Sequence, residues 1–338
     1  MTVIKGNVPF ILEAEQWLQA SNIPEKVAVA WSGGADSTAL LLALYSYGKH
    51  PVAWHIDHAW HDDSSHHASS LKLLAQEWGI PFFCCRLRDK LDKNREAEAR
   101  KARYKIFSRW GKEQNVSTLC LGHHLDDQAE TVFLRLLQGS SASGCQGMKE
   151  VRSLGELNLV RPLLSIPKHG LETALRRAGV HWLNDPSNRD LSLRRNHIRQ
   201  IVFPRMRQAG TEPRELFSRF SIQAISLVRY MRKKTESFDL RQQDGLVSMD
   251  WYEWQAQTPC IRAFLLQQMT VSLFGAGRVL GRRHILLTEH WVEKGGYGGL
   301  DLSGSRLYRE SSRLYLKENT VRKEDFPDEP LLQGKSDS

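Results

Sequence analysis

VAVAWSGGADSTALL, Val27 to Leu41, passes from a short β-branched and alanine run through Ser-Gly-Gly into an apolar helical pattern. A strand that breaks at such a turn and resumes as a helix leaves several backbone N–H groups unpaired and aimed the same way. Glycines let a ligand approach that backbone, and the helix N-terminus adds a favourable dipole for an anion. Ser32 and Ser37 add hydroxyl donors, so Ser32, Gly33, Gly34, Ala35, Asp36 and Ser37 read as a loop for a phosphate chain. Asp36 would repel phosphates unless it holds a Mg²⁺ that bridges them. An ordinary capped turn explains one glycine and one polar residue, not five of six positions. No lysine follows the glycines and there is no G-x-G-x-x-G, so the loop is of neither common nucleotide-binding type.

Working outward, strand-like runs alternate with amphipathic ones. Val52–Asp57, Pro81–Leu87 and Thr118–Gly122 read as strands; Thr38–Tyr47, Ser64–Trp78, Glu96–Lys112 and Leu125–Leu137 read as helices. This alternation predicts an α/β fold: a Rossmann-like parallel sheet with helices on both faces, and ligands at the carboxyl ends of its strands. Pro9–Ala20 and Pro167–Ala178 are further expected helices, and the glycine-rich Gly139–Lys149 is an expected mobile loop. A long helix over about Glu212–Phe238 leads to a smaller α+β region with helices over Pro259–Phe274 and Arg282–Lys294 and strands over Gly299–Leu302 and Leu314–Lys317. The expected organisation is a catalytic domain over 1–215, a C-terminal region over 216–323 and a disordered tail over 324–338.

The 338 residues carry a net charge of +9, but the charge is concentrated. Arg161 to Lys234 holds 16 Lys/Arg against 5 Asp/Glu, a local excess of 11, which points to a polyanion such as nucleic acid. No apolar run approaches a membrane span, and the N-terminal segment lacks a signal-peptide layout, so a cytoplasmic protein is expected. The five cysteines form no C-x-x-C pair, which argues against disulfides and cysteine-ligated zinc. A histidine zinc cluster from His55, His58, His61, His66 and His67 is disfavoured by spacings that match no standard site.

Leu125, Ala129, Val132, Phe133, Leu136 and Leu137 form the expected buried stripe of the helix after His124, with Asp126, Asp127 and Glu130 in its first turns. Three acids exceed what capping needs, and Asp127 and Glu130 can meet on one face to take a cation. Arg100 and Arg103 form an i, i+3 pair suited to phosphate.

Ser-Gly-Gly-Ala-Asp-Ser resembles the pyrophosphate loop of the N-type ATP pyrophosphatases. Further blocks follow in the order found in the tRNA(Ile)-lysidine synthetases: His55-Ile-Asp-His58; Asn94-Arg-Glu through Arg103-Tyr104; Gly122-His-His-Leu-Asp-Asp-Gln-Ala-Glu-Thr131; Arg161-Pro-Leu-Leu164; Asp185-Pro-Ser-Asn188 and Arg195-Asn-His-Ile-Arg199. The likeness covers roughly residues 24–207, and departs from the family pattern where His61 stands in place of an arginine. It implies a ligase that adenylylates the wobble cytidine of a CAU-anticodon tRNA(Ile) with ATP and joins L-lysine to its C2, releasing AMP and diphosphate. It further implies ATP on Ser32–Ser37 with Mg²⁺ at Asp36, catalysis by Asp36, Arg103, Asp127 and Arg195, and lysine held by Asp127 and Glu130. Charge adds Arg195, Arg199, Arg205, Arg282 and Arg283 as tRNA contacts. The rival readings are a tRNA-thiolating relative, which the scattered cysteines disfavour, a small-molecule amidating relative, and a non-catalytic RNA-binding module.

Overall fold

The computed structural model describes residues 8–57, 64–87, 95–183, 190–275, 278 and 280–319. The chain divides into two compact units, Met1–Ala224 and Ile225–Ser338.

The first unit is built on a six-stranded sheet of β1 (Lys26–Ala30), β2 (His50–Asp57), β3 (Phe82–Arg86), β4 (Thr118–Cys120), β5 (Val151–Leu154) and β6 (Leu157–Val160), in the order β3-β2-β1-β4-β6-β5. The first five strands in that order are parallel; β5 pairs antiparallel with β6 as a hairpin at the edge. The order reverses between β1 and β4, which opens a crevice beyond their carboxyl ends. The helices are α1 (Ala14–Leu18), α2 (Ala35–Ser46), α3 (Ser64–Glu77), α4 (Arg95–Gln114), α5 (Leu125–Leu137), α6 (Ala142–Cys145), α7 (Lys168–Arg177), α8 (Arg194–His197), α9 (Phe203–Gln208) and α10 (Pro213–Thr235), with a π-helical turn over Ile198–Val202 between α8 and α9.

The pleat sends alternate residues to opposite faces. Val27 and Val29 pack with Leu40, Leu41, Leu44, Leu71 and Leu171 of α2, α3 and α7, whereas Ala28, Trp54, Leu119 and Leu159 pack with Phe107 and Trp110 of α4. Both faces are therefore covered, as a parallel sheet requires. On α5, Ala129, Val132, Phe133 and Leu136 meet Ile198, Phe203 and Phe217, but Leu137 of the expected stripe is 67% exposed.

Three expectations are corrected. The N-terminal helix is confined to Ala14–Leu18, because the Ile11 N–H donates to Ser46 Oγ at 2.9 Å and that backbone is satisfied outside a helix. The β5–β6 hairpin was not expected, although its sequence alternates around Gly155, which turns at φ +60°. The glycine-rich loop is tied down: Gln128 donates to Met148 O at 3.0 Å and accepts from Met148 N at 2.7 Å, and Ser221 donates to Gln146 O at 2.8 Å.

The second unit is an antiparallel sheet of β7 (Arg241–Gln243), β8 (Leu246–Asp250), β9 (Gly299–Leu302), β10 (Ser305–Glu310) and β11 (Arg313–Glu318), in the order β7-β8-β11-β10-β9. With α11 (Trp251–Gln255), α12 (Pro259–Phe274) and α13 (Arg282–Glu293) it buries its own core of Val247, Met249, Trp251, Trp254, Leu266, Met269, Leu307 and Leu316. No described helix is long and apolar enough to cross a membrane. The expected tail over 324–338 lies outside the described residues.

Candidate active site

The loop after β1 folds on itself before α2 begins. Ser32 and Ser37 hydroxyls lie 3.1 Å apart, Ser37 Oγ accepts from Ser32 N at 3.2 Å, and Ser37 Oγ donates to Gly34 O at 3.2 Å. Gly33 has φ +84°, and a Cβ there would meet Leu183 and Leu71 side chains at 2.8 Å each, so the fold itself requires glycine. Gly34 differs: its backbone is extended at φ −71°, and a Cβ would meet only Ser32 Oγ at 3.5 Å. Nothing in the protein demands glycine at Gly34, which leaves close approach of a ligand as the reason for it. Accordingly Gly33→Ala is expected to cost roughly 1–3 kcal/mol of stability. Gly34→Ala is expected to leave stability within about 0.5 kcal/mol while weakening ATP binding. Chemical denaturation alongside nucleotide titration checks the pair.

Trp31 does not face this loop. It is buried against Trp78 and Phe82, its Nε1–H donates to Thr38 Oγ1 at 3.0 Å, and its carbonyl lies 2.9 Å from His55 Nδ1. Burial lowers the His55 pKa, so the neutral ring donating from Nδ1 suits this contact. His66 and His67 are exposed, His58 and His61 lie outside the described residues, and no group of three His, Cys, Asp or Glu among the described residues could hold a metal.

Across the crevice, β4 runs into Gly122, where a Cβ would meet the Asp36 carbonyl carbon and Ser37 N at 3.0 Å; this glycine lets the two loops touch. His124 caps α5 reciprocally with Asp127: Asp127 N donates to His124 Nδ1 at 3.4 Å and His124 N donates to Asp127 Oδ2 at 3.2 Å. The other ring nitrogen, Nε2, lies 3.4 Å from Asp127 Oδ2 and 3.6 Å from Asp36 Oδ2. Burial opposes a charge on His124, but Asp36, Asp127 and Asp126 outweigh it and raise its pKa. His124 thus bridges the loop carboxylate and the α5 carboxylate.

Asp36 keeps one oxygen apart. Burial pushes its pKa up, while His124, Lys168 (Nζ 4.0 Å from Oδ2) and Arg199 pull it below its ordinary value. Its Oδ1 is buried and has no hydrogen-bond partner among the described residues. A hard oxygen left unsatisfied beside a phosphate loop fits a divalent cation whose remaining ligands come from phosphate and water.

Glu130 is 1% exposed and receives Arg199 in a two-pronged contact, Nε to Oε1 at 2.7 Å and Nη2 to Oε2 at 3.0 Å; Nη2 also reaches Asp127 Oδ1 at 3.1 Å. Burial raises the Glu130 pKa, with Arg199 opposing. The π-helical turn carries Arg199 on its first positions, and such turns interrupt the regular spacing of side chains along a helix. Asp126 serves a different purpose: its Oδ2 accepts from Lys168 N at 2.9 Å at the start of α7. A crevice of about 230 Å³ opens beside the loop, lined by Ser32, Gly34, Asp36, Ser37, Arg103, Tyr104, Phe107, Leu121, Gly122 and His123.

A model of the PP-loop domain matches residues 10–206. The tRNA(Ile)-lysidine synthase of Chlamydia caviae is 31% identical over 81% of this chain and 87% of its own length. The chain belongs to the tRNA(Ile)-lysidine synthase family. The family member of Chlamydia trachomatis is 33% identical over 69% of this chain and 74% of its own, and that of Thermus thermophilus 35% identical over 58% and 39%. Among solved structures, a U34-tRNA thiolase from Methanococcus maripaludis shares the fold, with a TM-score of 0.53 at 18% identity, covering 64% of this chain and 80% of that one.

Set against the residues that the lysidine synthase motifs nominate, Ser32, Gly34, Asp36, Ser37 and Arg103 line this crevice, Asp127 is joined to Asp36 through His124, and Glu130 stands beside Asp127 on Arg199. Arg195 is exposed, with Nη2 3.3 Å from Thr131 Oγ1. Arg205 is exposed on α9, and Arg282 and Arg283 are exposed on the first turn of α13 in the second unit. Arg199, expected at tRNA phosphate, instead has its guanidinium on Glu130 and Asp127. Asn94 and Asp185–Asn188 of the family blocks lie outside the described residues. His124 and Lys168 were not nominated; His124 stood in the quoted block, whereas Lys168 carried no signal beyond its helix start.

Burial holds the neighbouring His123 down at about 4, with Arg161, Arg195 and Arg100 adding to the effect and Asp127 opposing it. Its ordinary value is 6.5, so below that pH the unfolded chain takes up a proton that the folded chain refuses. Stability is therefore expected to fall as pH drops from 6.5 toward 4. His123→Gln should flatten that slope in thermal denaturation.

Proposed function

We propose that this chain is the ligase that joins L-lysine to C2 of the wobble cytidine of a CAU-anticodon tRNA(Ile), using ATP. The observation that supports this reading is that His124 bridges the phosphate loop and the α5 carboxylates, its Nε2 lying 3.6 Å from Asp36 Oδ2 and 3.4 Å from Asp127 Oδ2, while Arg199 ties Asp127 to Glu130. In this reading the backbone N–H groups and hydroxyls of Ser32–Ser37 grip the leaving diphosphate. Asp36 Oδ1, with no partner among the described residues, would hold Mg²⁺, which would supply charge neutralisation at the phosphates.

The cytidine leaves the anticodon stack to reach the crevice, as bases must for enzymes that act on them. Its C2 oxygen attacks the α-phosphate, the α–β bridge breaks, and diphosphate departs. Arg103, half-buried on the crevice wall, stabilises charge developing on the α-phosphate. The lysine ε-amine then attacks C2 and expels AMP; Asp127 and Glu130 orient its ammonium form, and a carboxylate takes the proton that the amine must lose first. Arg195 and Arg205, both exposed, supply positive charge for the tRNA. Arg282 and Arg283 oppose the dipole at their own helix start, so they do not serve that helix, and anionic RNA is the natural partner. We place the reaction in the cytoplasm.

The test is nucleoside mass analysis of CAU-anticodon tRNA(Ile) after incubation with ATP and lysine. A lysine-sized gain on cytidine, with one diphosphate released per event, is expected. Diphosphate release without lysine incorporation would overturn the second substrate while keeping the nucleotide loop.

A further inference from the structure

Arg161 follows directly after β6, at the carboxyl edge of the sheet, and is only 4% exposed. Buried guanidinium groups are ordinarily paired with carboxylates, because taking the charge out of water is costly. Among the described residues Arg161 has no such partner. Its one side-chain hydrogen bond runs from Nη1 to the carbonyl of Lys149 at 2.7 Å, and its Nε is buried with no acceptor. Burial disfavours its charge most; Tyr104 partly offsets this, and Arg100 and Arg152, within electrostatic reach, add to the penalty. Both are exposed, neither has a carboxylate within ion-pair distance among the described residues, and Arg100 stacks its guanidinium over Tyr104 at 5.0 Å. Three arginines that form no ion pair among the described residues, one of them buried with an unused donor, make an incomplete site that an anion completes.

We propose that Arg161, Arg100 and Arg152 bind a backbone phosphate of the RNA next to the target cytidine. This rests on the function proposed above. The nucleotide's own phosphates are served by Ser32–Ser37 and Arg103, and Arg161 does not line that crevice. Tyr104 lines it, however, and stands beside Arg100 and Arg161, so the arginines border the place where the cytidine must sit. An extruded nucleotide needs its flanking phosphodiesters held, since they carry the torsion of the flip. The two exposed arginines suit a ligand arriving from solvent, and the buried one fixes its register through a planar fork.

The experiment measures binding of a CAU anticodon stem-loop RNA to the full chain by fluorescence anisotropy at several salt concentrations, with ATP affinity measured in parallel. Arg100→Gln and Arg152→Gln, both at exposed positions, are expected to weaken RNA binding severalfold, and Arg161→Gln roughly tenfold, with ATP affinity unchanged. Loss of the site should make the log–log salt dependence shallower by about 0.7, the value for one phosphate, with each single variant contributing part of it. Stem-loops carrying single neutral methylphosphonates then locate the contact: the position that weakens wild type should leave Arg161→Gln unaffected. Unaltered RNA affinity and salt slope in Arg100→Gln and Arg152→Gln would overturn the site even if Arg161→Gln fails to fold. Loss of ATP affinity with RNA binding intact would overturn it too, by assigning the anion to the nucleotide. Wild type that binds this RNA but incorporates no lysine would refute the ligase reading instead, a separate result.

Discussion

Asp36→Asn is expected to lower lysine incorporation by three orders of magnitude or more while the protein stays folded. The carboxylate stands in the first turn of α2, with Oδ2 facing His124 and Lys168 and Oδ1 buried without a partner among the described residues. Its lowered pKa means that it is an anion throughout the pH range in which the enzyme works. An amide of the same shape keeps the helix start and the packing but cannot hold a divalent cation against phosphate. Removing the charge that organises a metal-assisted phosphoryl centre commonly costs a thousandfold or more in rate. The effect on stability should be small and pH-dependent. A carboxyl with a depressed folded pKa contributes stability above its ordinary value, 3.8, and loses it as pH falls through the folded value. The difference between wild type and variant should therefore be present at pH 7 and vanish in strong acid. Turnover within tenfold of wild type would remove Asp36 from the chemistry.

The parallel sheet and its loop were legible because they depend on local patterns. Strand and helix periods alternate from Val27 to Leu137, and a parallel sheet follows from that alternation alone. The second unit was half legible: α12 and β9 stand where the pattern put them, but β7, β8 and β10 were not anticipated. β7 and β10 pair with strands next to them in sequence across tight turns, whereas β8 finds β11 through contacts distant in sequence, such as Leu314 with Met249. The same reason hid the ties on the glycine-rich loop, because an amide such as Gln128 gives no sign of which backbone it will clasp.

In the site, the residues were easier to nominate than their partners. Asp127 and Glu130 stood out by spacing, but that Arg199 lies on them follows from the π-helical turn, which no periodicity announces. The fold itself does not choose the reaction, since a tRNA thiolase shares it. Of the five cysteines, Cys120 and Cys145 are buried and Cys84 is exposed, and desolvation chiefly raises the thiol pKa of all three, the opposite of what a reactive thiolate needs; Cys85 is half-buried and Cys260 exposed.

Arg199→Ala should be the most damaging single change to stability in the site, and lysine should partly reverse it. The substitution leaves Glu130 almost fully buried and Asp127 beside it with no cation between them. Breaking a buried pair from one side costs about 3–5 kcal/mol, and the low end applies because Arg199 itself is one-third exposed. Glu130 should then titrate still higher. A carboxyl whose folded pKa exceeds its ordinary value, 4.5, gives stability that is present below 4.5 and lost as pH rises through the folded value, so the variant should be relatively more stable in mild acid than at pH 8. Adding Glu130→Gln should recover part of the loss, because the charge left without a partner is then gone; additive losses in the double variant would refute the coupling. If Asp127 and Glu130 also receive the substrate ammonium, lysine should raise the melting temperature of Arg199→Ala more than that of wild type. The ammonium would be filling a position that a guanidinium otherwise holds. Lysine that stabilises wild type and leaves Arg199→Ala unchanged would instead make Arg199 part of the lysine site, a partner to the bound amino acid rather than a stand-in for it.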